Sequence, residues 1–199
     1  MTIVCMDLEG VLVPEIWIEF SKASGIKELS LTTREEPDYD KLMRWRIGVL
    51  KEHNLGLQEI QAIIGGMQPF AGAKAFLDEL RSMAQAVIIS DTFTQFGMPL
   101  MQKLGYPTLL CNELIVDEKG MISGYKMRVE NSKYTTVKAL QAMGYQTVAF
   151  GDSYNDLAMI RNSKAGFLFR TTDKIKTDNP DIPAFETYGE LMQAIKQHI

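Results

Sequence analysis

At 199 residues, with 46% hydrophobic and 23% charged residues, the chain has the size and composition of one globular domain that carries a modest insertion. The formal net charge is −4 and no basic run is longer than two residues, which argues against a nucleic-acid partner. No apolar stretch approaches the roughly 20 residues that span a bilayer, and the acid at position 7 precludes a signal-peptide core, so we expect a cytoplasmic protein without a membrane partner.

The first predicted element is a strand that ends in two carboxylates. Residues 2–6 are apolar and rich in β-branched side chains, as in a strand buried on both faces of a parallel sheet. Asp7 and Glu9 follow, and Gly10 closes the run. Because ligands bind outside the carboxyl ends of strands in open α/β sheets, both acids lie where chemistry is expected. Alone, the pair is a weak signal, because an acid in this position often only caps the next helix or lies in a solvated turn.

Three helices are predicted between the first strand and the second. They cover residues 15–23, a segment from about 40 to 53, and residues 57–64. Gly25 ends the first helix, and a loop over residues 27–40 leads to an N-cap at Asp38 or Asp40. Because these helices interrupt the regular alternation of strands and helices, we expect them to form a small helical cap over the strand ends.

From residue 69 onward, helices and strands alternate. Predicted helices cover residues 71–83, 94–104, 133–143, 155–160 and 189–197, and predicted strands cover residues 86–90, 108–111, 147–150 and 165–169. Short apolar runs on either side of residues 117–120 indicate a β-hairpin within this series. The alternation predicts an α/β fold with a Rossmann-like, mainly parallel sheet and right-handed crossovers.

Polar side chains follow two more of the predicted strands. Ser90 and Asp91 end the strand at 86–90, and Asp152 follows the strand at 147–150. A serine in this position is usually a turn residue, and acids here often cap the next helix.

The helices that follow these strands carry three more polar candidates. Asn155 and Asp156 begin the helix after Asp152, and Lys133 begins an earlier helix. A lysine at a helix start is usually solvated. Because the positive end of the helix dipole disfavours a cation there, Lys133 also indicates a nearby anion.

These clusters occur in the order and context of the four motifs of haloacid dehalogenase-like phosphohydrolases, which the chain resembles over nearly its whole length. Within that superfamily it resembles phosphoserine phosphatases, and residues 7–15 (DLEGVLVPE) resemble the first motif of the subgroup that also transfers phosphate to homoserine. Glu9 stands where the wider family has Asp, and Asp91 where phosphoserine phosphatases have Gly; both agree with that subgroup. The resemblance implies a core of residues 1–14 and 69–199 and a cap of residues 15–68.

The resemblance also implies Mg²⁺-dependent hydrolysis of phosphoserine through an aspartyl-phosphate, with homoserine as an alternative acceptor. It makes Asp7 the nucleophile and Glu9 the acid for the leaving oxygen, then the base for the incoming one. The implied metal site comprises Asp7, the backbone carbonyl of Glu9, Asp152 and Asp156 in support. The implied substrate-binding residues near the phosphate are Ser90, Asp91, Lys133 and Asn155.

Glu15 and Arg46 match the needs of a zwitterionic amino acid, an anion for its ammonium group and a planar fork for its carboxylate. The alternatives are a first-turn helix acid and a surface arginine, and Arg44 competes for the second role.

Two other functions stay open at this stage. One is the same chemistry on another small phosphomonoester, such as a sugar phosphate or a nucleotide, and the other is a phosphate-binding regulator without catalysis. A Rossmann-type redox enzyme is excluded because no G-x-G-x-x-G follows the first strand. The sequence leaves open whether hydrolysis or transfer dominates and whether the protein is a homodimer.

Overall fold

The computed structural model describes residues 1–32, 35–36 and 38–199. The strands in these ranges are β1 (Thr2–Met6), β2 (Gln85–Phe93), β3 (Thr108–Val116), β4 (Ile122–Lys126), β5 (Gln146–Gly151), β6 (Ala165–Phe169) and β7 (Ala184–Phe185). The α-helices are α1 (Ile16–Ser24), α2 (Tyr39–Glu52), α3 (Leu57–Gly66), α4 (Ala73–Met83), α5 (Thr94–Lys103), α6 (Ser132–Ala142), α7 (Leu157–Arg161), α8 (Asp173–Asp178) and α9 (Tyr188–Lys196). Lys27–Ser30 and Tyr154–Asp156 form single 3-10 turns.

One seven-stranded sheet, in the order β4-β3-β2-β1-β5-β6-β7, forms the centre of the molecule. Every neighbouring pair is parallel except β3 and β4, which confirms the predicted α/β fold with a mainly parallel sheet. β1 lies between β2 and β5, and the strand order reverses there. Such a switch point opens a crevice beyond the carboxyl end of β1, where Asp7 follows.

The alternating side chains of β1 enter two separate apolar layers. Val4 and Met6 join the larger cluster, whereas Ile3 and Cys5 join the cluster on the opposite face of the sheet. Helices on both faces complete these layers, which explains why β1 is apolar from Ile3 to Met6.

Helices α1–α3 pack onto the larger of these two clusters. Their buried side chains include Ile16, Phe20 and Ile60. The two segments that connect these helices to the sheet run side by side, since the backbone N–H of Phe70 donates to the carbonyl of Leu12 at 2.9 Å. The division into a core and a cap at residues 15 and 68 stays a prediction.

The caps of α1 and α2 follow the predicted signals. Gly25 ends α1 in a left-handed conformation with φ of 74°, which suits glycine. Asp38 caps α2 through a 3.0 Å hydrogen bond from the backbone N–H of Lys41. The predicted loop over 27–40 contains the 3-10 turn Lys27–Ser30, and its residues 33, 34 and 37 lie outside the described residues.

Three details differ from the sequence-based expectation or extend it, and a fourth confirms it. β3 runs unbroken over nine residues, although polar Asn112 and Glu113 interrupt its apolar pattern. The predicted helix at 155–160 divides into the Tyr154–Asp156 turn and α7. The short elements α8 and β7 were not predicted, because six and two residues carry too little periodicity. The hairpin at 117–120 is confirmed by the antiparallel pairing of β3 and β4.

None of the described helices combines the length and the apolar character that crossing a bilayer requires.

Candidate active site

Asp7 is buried where the chain leaves β1, with 6% of its surface exposed. Its Oδ1 accepts a hydrogen bond from the backbone N–H of Leu8 at 2.7 Å, and its Oδ2 accepts one from Lys133 Nζ at 2.9 Å. Gly10, three residues further, has φ of +73° and lies so close to Asp152 that a Cβ there would overlap the Asp152 carboxylate. The turn after β1 therefore packs directly against the acid that follows β5.

Three carboxylates meet at this point. One oxygen from each of Asp7, Asp152 and Asp156 lies within 4.8 Å of the others, so the group could hold a metal ion. Asp156 is fully buried, and its Oδ2 accepts hydrogen bonds from the backbone N–H groups of Asp152 and Ser153, both at 3.0 Å. This local capping explains why the chain forms a tight turn before α7 begins.

Lys133 is the cation of this cluster. Its Nζ lies 2.5 Å from Asp156 Oδ1 and 2.9 Å from Asp7 Oδ2, and 3% of the residue is exposed. Burial lowers the pKa of Lys133, but the charges of Asp156 and Asp7 outweigh it, so the pKa stays above its ordinary value. Lys133 therefore remains charged at the start of α6, against the helix dipole.

One ammonium group does not neutralise three carboxylates, of which those of Asp7 and Asp156 are buried and that of Asp152 is half-buried. Burial raises the pKa of Asp152 to about 7, and the charge of Asp156 adds to the effect. Burial likewise raises the pKa of Asp7 well above its usual range, although Lys133 opposes the shift. The uncompensated negative charge and the oxygen-only donor set fit a hard divalent cation.

Ser90 and Asp91 lie at an irregular point of β2. The register between β2 and β3 shifts between Ile89 and Phe93, and such a bulge re-aims the side chains it contains. Ser90 is buried, and its Oγ accepts a hydrogen bond from the backbone N–H of Thr92 at 3.3 Å. The Asp91 carboxylate accepts a hydrogen bond from Asn155 Nδ2 at 2.9 Å, which joins the end of β2 to the segment after β5.

Glu9, Glu15 and Arg46 form a second charged group. Glu9 Oε2 accepts a hydrogen bond from the backbone N–H of Ile16 at 2.8 Å. Burial, followed by the charge of Glu15, raises the pKa of Glu9 to about 8, while Arg46 opposes the shift. Glu9 is therefore mostly protonated at neutral pH, the state that a general acid requires.

Arg46 is 5% exposed and stands over Trp17, its guanidinium carbon 4.4 Å from the ring centre. Its Nη2 donates to the carbonyl of Leu31 at 2.7 Å, but its Nε has no hydrogen-bond partner among the described residues. Arg44, in contrast, is exposed and pairs with Asp40 at 2.7 Å. Of the two arginines, Arg46 therefore faces the interior with a donor available.

Contacts or electrostatic interactions link nine of the ten residues singled out from the sequence, and the tenth, Ser90, is next to Asp91 in β2. Asp7, Lys133, Asp152 and Asp156 form the carboxylate–lysine cluster. Asp91 and Asn155 are in direct contact, Ser90 precedes Asp91, and Glu9, Glu15 and Arg46 influence one another electrostatically. Glu15 is exposed, and its charge acts on both Glu9 and Asp152.

Sequence reasoning missed Tyr39. Its hydroxyl donates to the backbone carbonyl of Asp91 at 3.2 Å, and its pKa responds to the charges of Asp91, Arg46 and Glu9 after burial. The sequence did contain a signal for Tyr39. It precedes Arg46 by seven residues, or about two helical turns, so the two residues lie on the same face of α2.

A parallel sheet whose central strand ends in a buried carboxylate, beside a lysine and two acids from neighbouring segments, is the framework of an α/β phosphohydrolase. Residues 17–161 match the family model described as haloacid dehalogenase-like hydrolase. The chain belongs to this family.

Two relatives are similar over nearly the whole chain. A phosphoserine phosphatase of Pseudomonas syringae pv. tomato is 48% identical over 189 residues, covering 95% of this chain and 80% of the relative. Phosphoserine phosphatase ThrH of Pseudomonas aeruginosa is 47% identical over 191 residues, covering 96% of this chain and 93% of the relative. Among solved structures, a phosphoserine phosphatase in apo form superposes with a TM-score of 0.77 at 23% identity, covering 99% of this chain and 98% of that one. That likeness establishes the fold.

Proposed function

We propose that this protein hydrolyses O-phospho-L-serine through an aspartyl-phosphate on Asp7 and can pass the same phosphoryl group to homoserine. The observation that carries the proposal is the buried Asp7 carboxylate, held 2.9 Å from Lys133 at the edge where Asp152 and Asp156 converge. The two relatives at 48% and 47% identity, both named phosphoserine phosphatases, support the choice of substrate.

The reaction begins when an Asp7 carboxylate oxygen attacks the phosphorus of the substrate. The bond between phosphorus and the serine oxygen breaks, and the protonated Glu9 carboxyl gives its proton to that oxygen. In the second half, Glu9 accepts the proton of the incoming water or alcohol, and Asp7 is released as a carboxylate. Because the pKa of Glu9 is raised to about 8, its carboxyl group carries the proton that it gives to the serine oxygen.

The carboxylate cluster suits Mg²⁺. When bound, Mg²⁺ would offset the negative charge of the carboxylates and of the substrate phosphate. Asp7, the backbone carbonyl of Glu9 and Asp152 would hold it. Both oxygens of Asp156 already bind Lys133 and backbone N–H groups, so Asp156 would support the site by fixing its neighbours.

The remaining residues recognise the substrate. Ser90, Lys133 and Asn155 would bind the phosphoryl oxygens, and Asp91 would orient Asn155 through their 2.9 Å hydrogen bond. Glu15 would bind the ammonium group, and the partnerless Nε of Arg46 fits the substrate carboxylate.

We further propose that residues 15–68 act as a cap that shields the phosphorylated Asp7 from bulk water, above a core of residues 1–14 and 69–199. The small-molecule substrate and the free, buried thiols of Cys5 and Cys111 support work in the cytoplasm.

The direct test is phosphate release from phosphoserine with Mg²⁺, measured with and without excess homoserine while phosphohomoserine is followed. We expect phosphohomoserine to appear at the expense of free phosphate, because both acceptors compete for one intermediate. Phosphate release that homoserine does not alter would limit the protein to hydrolysis. Absence of release from phosphoserine, with brisk turnover of a sugar phosphate or a nucleotide, would overturn the choice of substrate.

The raised pKa of Asp152 predicts a pH-dependent response to Mg²⁺. In the metal-free protein this pKa is about 7 instead of 3.8, so ionising Asp152 costs stability as the pH rises between these values. Because Mg²⁺ needs the ionised carboxylate, its apparent affinity should rise about tenfold from pH 6 to pH 8. Thermal unfolding with increasing Mg²⁺ at both pH values measures this. Asp152→Asn should abolish the response, and equal affinity at both pH values would contradict it.

A further inference from the structure

Tyr39, the first residue of α2, connects the predicted cap to the active-site end of β2. Its hydroxyl donates to the backbone carbonyl of Asp91 at 3.2 Å. The same carbonyl accepts a second hydrogen bond from Asn112 Nδ2 at 3.0 Å, which fixes it from the β3 side. Tyr39 therefore binds a carbonyl whose position the core already determines.

The Tyr39 side chain faces the substrate side of α2. Arg46, two turns further along the helix, is the residue proposed to bind the substrate carboxylate, and the two side chains influence each other electrostatically. Burial and the charge of Asp91 raise the pKa of Tyr39, so its hydroxyl is a neutral donor throughout the physiological range. The contact with Asp91 thus joins the helix that carries Arg46 to the segment that follows Ser90.

We propose that Tyr39 is a positioning residue that holds the first turn of α2 against the carbonyl of Asp91, keeps water away from the phosphorylated Asp7 and so favours an alcohol as the acceptor. This inference rests on the proposed function, because it concerns the fate of the aspartyl-phosphate. It adds Tyr39 to the site and predicts that removing its hydroxyl changes the ratio of transfer to hydrolysis.

The step at issue is the attack on the aspartyl-phosphate. The oxygen of water or of an alcohol forms a bond to phosphorus, the bond between phosphorus and the Asp7 oxygen breaks, and the proton of the attacking hydroxyl passes to Glu9. Water gives inorganic phosphate, and an alcohol gives a new phosphate ester. The ratio of the two products does not depend on how much enzyme is active, so a loss of folded protein leaves it unchanged.

Tyr125 offers a matched control. Its hydroxyl donates to Asp40 Oδ1 at 2.7 Å, so it also ties the start of α2 to the core, but through an exposed hydrogen bond. The Tyr39 and Tyr125 rings meet edge to face at 5.8 Å, a contact that phenylalanine keeps at either position. Tyr39→Phe and Tyr125→Phe therefore remove one hydroxyl each near the same helix end, the first bound to the carbonyl of Asp91 and the second to the exposed side chain of Asp40.

The experiment compares both variants with the wild type. Exchange of labelled serine into phosphoserine is measured alongside phosphate release, and the ratio of exchange to release is the readout. We expect Tyr39→Phe to lower this ratio about fivefold, the effect of one hydrogen bond of ordinary strength, and Tyr125→Phe to leave it unchanged. An unchanged ratio in Tyr39→Phe, or an equal fall in both variants, would overturn the proposal.

A second phosphoryl donor tests the role of Tyr39 independently of the proposed substrate. With p-nitrophenyl phosphate and glycerol, nitrophenol release counts every transfer, and its excess over phosphate release counts transfer to the alcohol. The ratio of transfer to phosphate release then depends on the aspartyl-phosphate, but it does not depend on the recognition of phosphoserine. If the wild type accepts only this donor, the substrate assignment fails, while a lower ratio in Tyr39→Phe still supports the role of Tyr39 and an unchanged one still overturns it.

Discussion

Replacing Asp7 with Asn is expected to lower phosphate release from phosphoserine by at least about 10³-fold. The amide has nearly the shape of the carboxylate but cannot form the acyl phosphate on which both half-reactions depend. Steady-state phosphate release, with phosphohomoserine followed in parallel, measures the effect. Both products should disappear together, because they share one intermediate.

The same substitution should leave the fold intact. The single amide oxygen of the new side chain can accept from only one of the two donors that Asp7 binds, the backbone N–H of Leu8 and Lys133 Nζ, and Lys133 keeps its contact with Asp156. Since burial already raises the pKa of Asp7, removing this charge should not lower the free energy of unfolding in the absence of metal. Asp78→Asn, which alters an exposed acid paired with Lys74 on α4, is the control and should keep full activity. Turnover by Asp7→Asn equal to that of the wild type would favour a phosphate-binding regulator.

The sequence predicted the core of the fold because its signals are local. β1 is apolar from Ile3 to Met6, as a strand buried on both faces must be. The apolar periodicity of α2 predicted a cap at Asp38 or Asp40, and Asp38 forms it. The position of Asp7 followed from topology, since a carboxyl end of a parallel strand opens onto the crevice wherever the strand order reverses.

What the sequence could not give depends on contacts between distant segments. The apolar periodicity of α2 places Arg46 on the buried face of the helix and Arg44 off it. That Arg46 stacks on Trp17, while Arg44 pairs with a surface acid, depends on the packing of α2. Tyr39 is 52 residues from Asp91, and the value of its hydroxyl exists only once α2 packs against the end of β2. The predicted strand ends before Asn112 because a polar side chain normally indicates the end of a buried strand. The Asn112 amide is buried within β3 because it binds Asp91 and Arg128, which are distant in sequence.

The second large effect is expected at Lys133. Lys133→Met should lower the free energy of unfolding by about 3–5 kcal/mol near neutral pH without Mg²⁺, because it leaves Asp7 and Asp156 buried without their cation. Lys174→Met is the matched control, since Lys174 pairs with Asp178 at the surface, where solvent screens the pair, so its loss should barely change the free energy of unfolding. Urea unfolding of the two variants and the wild type measures the difference.

The pH dependence identifies the cause of that loss. Without Lys133, the pKa of Asp7 in the folded protein should rise further above its value in the unfolded chain, since the ammonium group opposes the shift caused by burial. The folded variant then holds protons that the unfolded chain releases, so its stability falls as the pH rises, and the deficit relative to the wild type widens from pH 5 to pH 8. Mg²⁺ should narrow the deficit by restoring positive charge beside the carboxylates. A deficit that ignored both pH and Mg²⁺ would indicate that the methylene stem of Lys133, and not its charge, stabilises the site.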